Sequence, residues 1–228
     1  MSTFFRFPHT PHLAWLGQGR PRDDKVFDRN EQTALLAGPV VVEEKLDGAN
    51  LGISLAPDDT VRVQNRGQYL NPPFNGQFGR LPAWLAVKRP ALIQNLGQHL
   101  ILFGEWCAAK HSLDYGALPD WFLAFDVFDR NEQKFWSTKR RDELARTLGV
   151  CVVPALMTRA TTLSALTDVV LKSVSQFRPG PLEGVVIRRE TADWLTLRAK
   201  LVRPDFTQSI TEHWSRRNLE WNAVQPQG

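Results

Sequence analysis

The stretch PVVVEEKLDGANLGISL occupies residues 39–55 and carries the pattern that decides the fold. Its first half, PVVVEEKL, is typical of a buried strand that becomes polar at its end, and LGISL predicts a second strand. Gly48 lies between them, where a tight turn is expected. A lysine at the end of an apolar strand, next to a glycine turn, can project its amine into a cleft while its stem stays fixed. We therefore predict a strand–turn–strand unit that presents Lys45.

The rest of the chain alternates between strand and helix patterns. Apolar or alternating segments predict further strands at 60–66, 99–106, 121–128, 182–190 and 194–202. Helical patterns predict a helix over 82–97 that is interrupted at Pro90, and a second helix between an N-cap at Ser137 and a stop at Gly149. A third helix is predicted over 162–177. A last helix is predicted after Asp205, and it carries Trp214, Leu219 and Trp221. The pattern predicts an α+β fold with two antiparallel sheets and flanking helices. We expect one domain over 1–228, with residues 1–38 as a lead-in.

Composition excludes several classes of protein. Of 228 residues, 43% are hydrophobic and 23% charged, which is the balance of a globular protein and not of a disordered or fibrous one. The net charge of +4 permits nucleic acid as a partner without requiring it. Two cysteines 44 positions apart give neither a disulfide framework nor a paired-cysteine metal site. The two unpaired cysteines suit a reducing compartment, and no apolar run reaches the length of a membrane span, so we expect a cytoplasmic protein. We also expect it to be a monomer.

Lys45 has two acidic neighbours of interest, Glu44 and Asp47. An amine that attacks phosphorus must be neutral, and a free lysine has a pKa near 10.4, so only about one in a thousand is ready at neutral pH. Adjacent carboxylates alone would raise that pKa further. The two acids make chemical sense if they hold a metal ion or bind substrate, which favours Mg²⁺ here. Taken alone, the tetrapeptide KLDG also suits a plain turn.

Five further short motifs follow KLDG in a fixed order. They are NRG (65–67), FGE (103–105), FD (125–126), EGVV (183–186) and RAK (198–200). In this order the set resembles the covalent nucleotidyltransferases, the superfamily of ATP-dependent DNA and RNA ligases and mRNA capping enzymes. The resemblance spans residues 44–203, and it implies the nucleotidyltransferase fold of that superfamily.

The resemblance also implies roles for individual residues. Lys45 would attack the α-phosphate of ATP and hold AMP as a phosphoramidate, with Lys200 and Glu183 as further catalytic residues. Asp47, Glu105 and Glu183 would hold Mg²⁺, or Mn²⁺, through water. The residues implied to bind the nucleotide are Glu44, Leu46, Asp47, Asn50, Arg66, Glu105, Phe125, Glu183, Arg198 and Lys200.

These roles fit the side-chain chemistry, and plainer interpretations exist beside them. A planar guanidinium forks onto phosphate, a carboxylate accepts ribose hydroxyls, and an aromatic face stacks on a base. Phe125 alternates with Leu123 and Val127, however, which equally suits a core position. Glu105 and Glu183 lie beside apolar strands, where a half-buried carboxylate needs partners. Together with Lys45 they indicate a shared polar cleft.

The residue type at position 50 distinguishes the classes of enzyme within the superfamily. Resemblance implies arginine at this position in DNA ligases and capping enzymes, and asparagine in the RNA ligase 2 type. This chain departs from the pattern of the superfamily at Arg198, where the last motif commonly has lysine. A second departure is size, because 28 residues follow Lys200, too few for a C-terminal OB-fold domain. The sequence therefore predicts an ATP-dependent RNA ligase that joins 5′-phosphate and 3′-hydroxyl ends, acting on RNA, a nicked duplex or an RNA/DNA hybrid.

Other functions stay open at this point. They are a small DNA or mixed nick-sealing ligase, a capping-type guanylyltransferase, and a binding module that has lost catalysis. Three basic clusters, at 139–141, 188–189 and 216–217, and the N-terminal lead-in are candidate RNA contacts, although such clusters are more often solvated faces. The heptapeptide VFDRNEQ occurs at 26–32 and again at 127–133, and a strand end followed by a polar turn suits both copies.

Overall fold

The computed structural model describes residues 4–18, 25–209 and 219–225, with side chains omitted at 207–209. It contains a short 3₁₀ helix (Gly76–Phe78) and the following elements: α1 (Arg29–Leu36), β1 (Val40–Lys45), β2 (Ala49–Leu55), β3 (Val61–Gln64), β4 (Tyr69–Leu70), α2 (Leu81–Asn95), β5 (Leu100–Trp106), β6 (Phe122–Asp129), β7 (Lys134–Phe135), α3 (Thr138–Leu148), β8 (Cys151–Val152), β9 (Ala155–Arg159), α4 (Leu163–Lys172), β10 (Gly184–Glu190), β11 (Leu195–Val202) and α5 (Pro204–Ser209). The prediction of an α+β fold with two antiparallel sheets is confirmed.

The strands form two sheets that are joined by the turn after β1. The first sheet has the order β11-β10-β1-β9, and the second has the order β4-β3-β2-β5-β6-β7 with β8 parallel to β6. β1 ends in the first sheet and β2 begins in the second, so residues 46–48 cross from one sheet to the other. The lysine predicted to be the nucleophile therefore lies at the junction of the sheets.

Each sheet buries one face under helices. The second sheet packs against α2 and α3 through aromatic and aliphatic residues that include Trp84, Trp106 and Phe122. The first sheet packs against α1 and α4, and its core includes Leu35 and Leu166. With the outer faces covered in this way, the polar ends of β1, β5 and β10 are left to face the space between the sheets.

Three helix predictions were wrong in their limits. α2 runs through Pro90 without a break, because that residue is exposed while Leu85 and Leu92 are buried on either side of it. α4 ends at Lys172, and residue 174 instead pairs with residue 181. The last helix is limited to α5 among the described residues.

The expected continuation of that last helix fails at its far end. Leu219 and Trp221 lie in a non-helical segment, and Trp221 forms a bridge with Ala109. Trp214 and the pair 216–217 lie outside the described residues. In the described part of the chain, no helix combines the length and the apolar character that crossing a membrane requires.

Candidate active site

A cavity of about 1180 Å³ lies between the two sheets. It is lined by ten of the eleven residues predicted to form the site, the exception being Asp47: Glu44, Lys45, Leu46, Asn50, Arg66, Glu105, Phe125, Glu183, Arg198 and Lys200. The structure thus brings together residues that are spread over more than 150 positions of sequence. The shared cleft predicted from the strand-end acids is present.

Lys45 points into this cavity from the end of β1. Its Nζ lies 2.6 Å from Glu183 Oε1, and the two side chains are 28% and 5% exposed. Burial disfavours the charged amine, but the carboxylates of Glu183, Glu105 and Asp47 outweigh it and raise the pKa of Lys45 above its usual value. In this state the amine is a protonated, paired group.

The two acids at the strand ends are held in a dry environment. Burial raises the pKa of Glu105 to about 7 and that of Glu183 to about 8, against the opposing effect of Lys45. Glu105 Oε1 accepts a hydrogen bond from the Gly48 amide at 3.0 Å. A Cβ at Gly48 would lie 2.6 Å from the carbonyl oxygen of Trp106, so this close approach requires glycine.

The acids that flank Lys45 in sequence have structural partners. Asp47 Oδ2 accepts from the amides of Ser112 and Leu113 at 2.7 and 2.8 Å, and Glu44 Oε2 accepts from the amide of Gln176 at 3.0 Å. The interpretation that these two carboxylates make sense only through metal or substrate was therefore too narrow, because each one also fixes a loop. Glu44 Oε1 is buried with no hydrogen-bond partner.

Several polar atoms of the predicted site are buried without a hydrogen-bond partner. Besides Glu44 Oε1, they are Glu183 Oε2, Asn50 Oδ1 and Arg66 Nε. A buried polar atom without a hydrogen-bond partner lowers the stability of a protein by about 1–3 kcal/mol. Such atoms on a cavity wall therefore indicate that a bound polar ligand supplies the missing hydrogen bonds. Phe125 is half-buried, and its ring lies edge-on to Phe7 at 5.4 Å between centroids. Its partial exposure to the cavity distinguishes it from a plain core residue.

A buried ion network joins the two sheets at the cavity. Arg188 Nη1 donates to Asp126 Oδ1 at 2.8 Å, and Arg141 Nη1 donates to Glu43 Oε1 at 2.6 Å. Arg198 also donates to Asp126. All of these side chains are at most 9% exposed. Arg141 and Arg188, proposed above as surface cations for RNA, are therefore internal, because carboxylates of β1 and β6 draw them inward.

The N-terminal segment, expected as a lead-in to the core, also contributes to the cavity. Several residues between positions 7 and 18 line the cavity. One of them, His12, is buried and forms a β-bridge with Lys200. The amide of Lys200 donates to the Pro11 carbonyl at 2.8 Å. Arg198 stacks over Phe7 at 4.7 Å, so this guanidinium secures the segment as well as pairing with Asp126. The alternation in FRFPH (5–9) was the available signal for this contact with the cavity.

The family model of RNA ligases matches residues 38–202 of this chain. The chain belongs to the RNA ligase family. The matched range begins just before β1 and ends with β11, and therefore contains both sheets. The resemblance inferred from the ordered motifs is confirmed at this level. A comparison with curated protein sequences finds no significant match.

Solved structures with similar folds carry related descriptions. A point mutant of an RNA ligase from Naegleria gruberi, in its apo form, is 16% identical, with 91% of this chain and 58% of that chain covered and a TM-score of 0.62. A variant of the same ligase with ATP and Mn is 16% identical, covering 92% and 59%, with a TM-score of 0.62. An archaeal ATP-dependent RNA ligase is 18% identical, covering 86% and 48%, with a TM-score of 0.59. This RNA ligase family member shares their fold and spans about half to three fifths of their length.

Proposed function

We propose that this chain is an ATP-dependent RNA ligase that works through a lysyl-AMP intermediate. The observation that carries the proposal is the position of Lys45, at the inner end of β1 and 2.6 Å from Glu183 in the inter-sheet cavity. The site also presents an aromatic ring, a guanidinium and a second lysine to the same space, at Phe125, Arg66 and Lys200. These groups suit an adenine, a phosphate and a second phosphate, respectively.

In the first step the Lys45 nitrogen attacks the α-phosphorus of ATP. An N–P bond forms, the bond between the α-phosphorus and the bridging oxygen breaks, and pyrophosphate leaves. Glu183 Oε1 accepts the hydrogen bond of the amine and is the position to which its proton can pass. Burial raises the pKa of the Glu183 carboxyl above its usual range, which makes it a stronger acceptor for that proton than an exposed carboxylate.

The remaining steps transfer AMP to RNA and then release it. An oxygen of an RNA 5′-phosphate attacks the lysyl-AMP phosphorus, and the N–P bond breaks. A 3′-hydroxyl oxygen then attacks the 5′-phosphorus of the adenylylated RNA, which forms the phosphodiester and releases AMP. Lys200, on the same face of β11 as Arg198, supplies positive charge next to the phosphates.

The acidic part of the site fits a hydrated divalent ion, Mg²⁺ or Mn²⁺. Glu183 Oε2 is buried with no hydrogen-bond partner, and the charges of Asp47 and Glu105 act on it. Among the described residues no three His, Cys, Asp or Glu side chains are grouped to hold a metal directly. Because Mg²⁺ keeps several waters, Glu183, with Asp47 and Glu105, would hold it through water. When bound, it would offset the carboxylate charges that hold a proton on Lys45.

The test is the intact mass of the protein after incubation with ATP and Mg²⁺. We expect a gain of one AMP, its absence with GTP, and its loss in Lys45→Ala. Lys172→Ala is the matched control, because Lys172 is 75% exposed and pairs with Asp168 far from this chemistry. Labelling of the Lys45→Ala protein would contradict the assignment of the nucleophile.

The substrate is tested by sealing of nicked duplexes with a defined sugar at the 3′-hydroxyl side. An RNA ligase requires ribose there, whereas a DNA or mixed ligase also seals the deoxyribose nick. Equal rates on both sugars would contradict the RNA part of the proposal and leave the lysyl-AMP part intact.

A further inference from the structure

The turn that carries the nucleophile is held from outside by a distant loop. The amide of Asp47 donates to Tyr115 Oη at 2.8 Å. Asp47 Oδ2 accepts from the amides of Ser112 and Leu113 at 2.7 and 2.8 Å. Three hydrogen bonds from residues 112–115 therefore fix the residue two positions after Lys45. Tyr115 is 2% exposed, so water does not replace its hydroxyl readily.

That loop is in turn held by the segment 219–225. Asn222 is 6% exposed, and its Oδ1 accepts from the Tyr115 amide at 2.8 Å. Its Nδ2 donates to the carbonyls of Cys107 and Ala109 at 2.7 and 3.2 Å. Backbone hydrogen bonds reinforce the attachment: Lys110 to Glu220, Asn222 to Ala108, Ala223 to Tyr115, Leu118 to Ala223 and Gln225 to Leu118.

The same segment is also anchored by stacking of one of its side chains, Trp221. The guanidinium of Arg80 lies 4.5 Å from the ring centre of Trp221 and 4.7 Å from that of Trp121. A guanidinium over an aromatic face is attracted by the negative charge of the ring's π-face. Segment 219–225 is thus attached both to the loop at 107–118 and to the residue that precedes α2.

We propose that Tyr115 and Asn222 are positioning residues for Lys45, and that segment 219–225 acts through them to keep the turn at 46–48 in register with the cavity. The inference rests on the proposed function, because the quantity it controls is the geometry of attack on the α-phosphate. Neither side chain lines the cavity. Displacement of a reacting group by about 1 Å costs about a hundredfold in rate, so fixing this turn matters to the chemical step.

The first variant is Tyr115→Phe, which removes the acceptor of the Asp47 amide and keeps the ring. We expect the single-turnover rate of enzyme-AMP formation at saturating ATP to fall about 10- to 100-fold. The ATP concentration at half-maximal rate stays within about threefold, because no ATP contact is lost. Tyr69→Phe is the matched control, since the buried hydroxyl of Tyr69 has no hydrogen-bond partner and its loss leaves the rate unchanged.

The second variant is Asn222→Ala, measured alone and combined with Tyr115→Phe. If both residues act through the same turn, the double variant loses little more rate than the worse single variant, whereas independent effects multiply. Rates are compared at a temperature at which thermal melts show every variant to be folded. A wild-type rate in Tyr115→Phe, or a multiplicative double variant, overturns the proposal.

The outcome also separates this proposal from the proposed function. If the wild-type protein forms no AMP adduct, the proposed function fails and the positioning role fails with it. If the wild type forms the adduct and both variants form it at the wild-type rate, the positioning role alone is wrong. A loss that appears only as a raised ATP requirement also overturns it, because that result assigns these residues to binding.

Discussion

Replacing Arg188 by methionine tests whether the buried ion network holds the two sheets together. Arg188 is 1% exposed and belongs to β10 of the first sheet, whereas its partner Asp126 belongs to β6 of the second. Its Nε also donates to Glu190 Oε1 at 2.7 Å. Removing one member of a buried ion pair typically costs about 3–5 kcal/mol, because the remaining charge has no compensation.

The remaining partners place this variant at the low end of that range. Asp126 keeps Arg198, Glu43 keeps Arg141, and Glu190 keeps two hydrogen bonds from Thr138. We therefore expect a loss of about 3 kcal/mol in the free energy of unfolding. For a chain of this size, each kcal/mol lowers the melting temperature by about 2–4 °C, so the expected shift is about 6–12 °C.

The assay is thermal and urea unfolding followed by the fluorescence of the eight tryptophans. Arg189→Met is the matched control, because the neighbouring residue is half-exposed and donates to a single backbone carbonyl, that of Ala34. We expect that variant to stay within about 2 °C of the wild type. If Arg188→Met melts like the wild type, or if Arg189→Met loses as much, the network does not carry the stability assigned to it.

The remaining predictions concern pH, the glycine turn and Arg66 on the cavity wall. The carboxyls of Glu105 and Glu183 have higher pKa values in the folded protein than the value of about 4.5 in the unfolded chain, so the folded protein binds more protons. Its stability therefore falls as the pH rises from about 5 to 8. In a pH series of thermal melts, Glu183→Gln loses less stability over this range than the wild type, and an unchanged slope contradicts the assignment. Gly48→Ala places a Cβ 2.6 Å from a carbonyl oxygen of β5 and lowers both the melting temperature and the yield of AMP adduct, which a melt and intact mass measure. Arg66→Ala weakens ATP binding about tenfold, as measured by calorimetry. Arg62→Ala, on the exposed side of β3, is the control and leaves ATP binding unchanged. If the two variants bind ATP equally well, the role of Arg66 is contradicted.

The parts of the fold that sequence predicted well are those set by local pattern. Long apolar strands such as β5 and β6 are nearly unbroken hydrophobic runs, and the helix that ends at Gly149 carries both of its end signals. The site was predictable for a related reason. Lys45 lies at the end of a strand beside a turn, and Glu105 lies near the end of another, so a polar residue there interrupts an apolar pattern.

The repeated heptapeptide shows where local pattern stops being informative. In the first copy Asp28 caps α1 through a capping box with Glu31, so the prediction of a strand end and polar turn was wrong there. In the second copy Asp129 Oδ1 accepts from the amides of Asn131 and Glu132, and the segment forms the β6–β7 turn, as expected. The difference follows from context, since the first copy is succeeded by TALL, which buries Leu35, and the second by an extended KF.

The burial of charged residues was the hardest property to predict, because sequence alone does not distinguish a surface arginine from a buried one. Arg141 and Arg188 are buried only because Glu43 and Asp126 approach from other strands. Such pairings join residues 62 to 98 positions apart, and no local spacing indicates them. The partnership of segment 219–225 with loop 107–118 was missed for the same reason.

The pairing of Lys45 with Glu183 also affects how the protein meets unintended reagents. An amine kept protonated at rest is a poor target for acyl phosphates, reactive aldehydes and cyanate, all of which consume neutral lysines. The pairing therefore shields the residue on which each turnover would depend from chemical ageing.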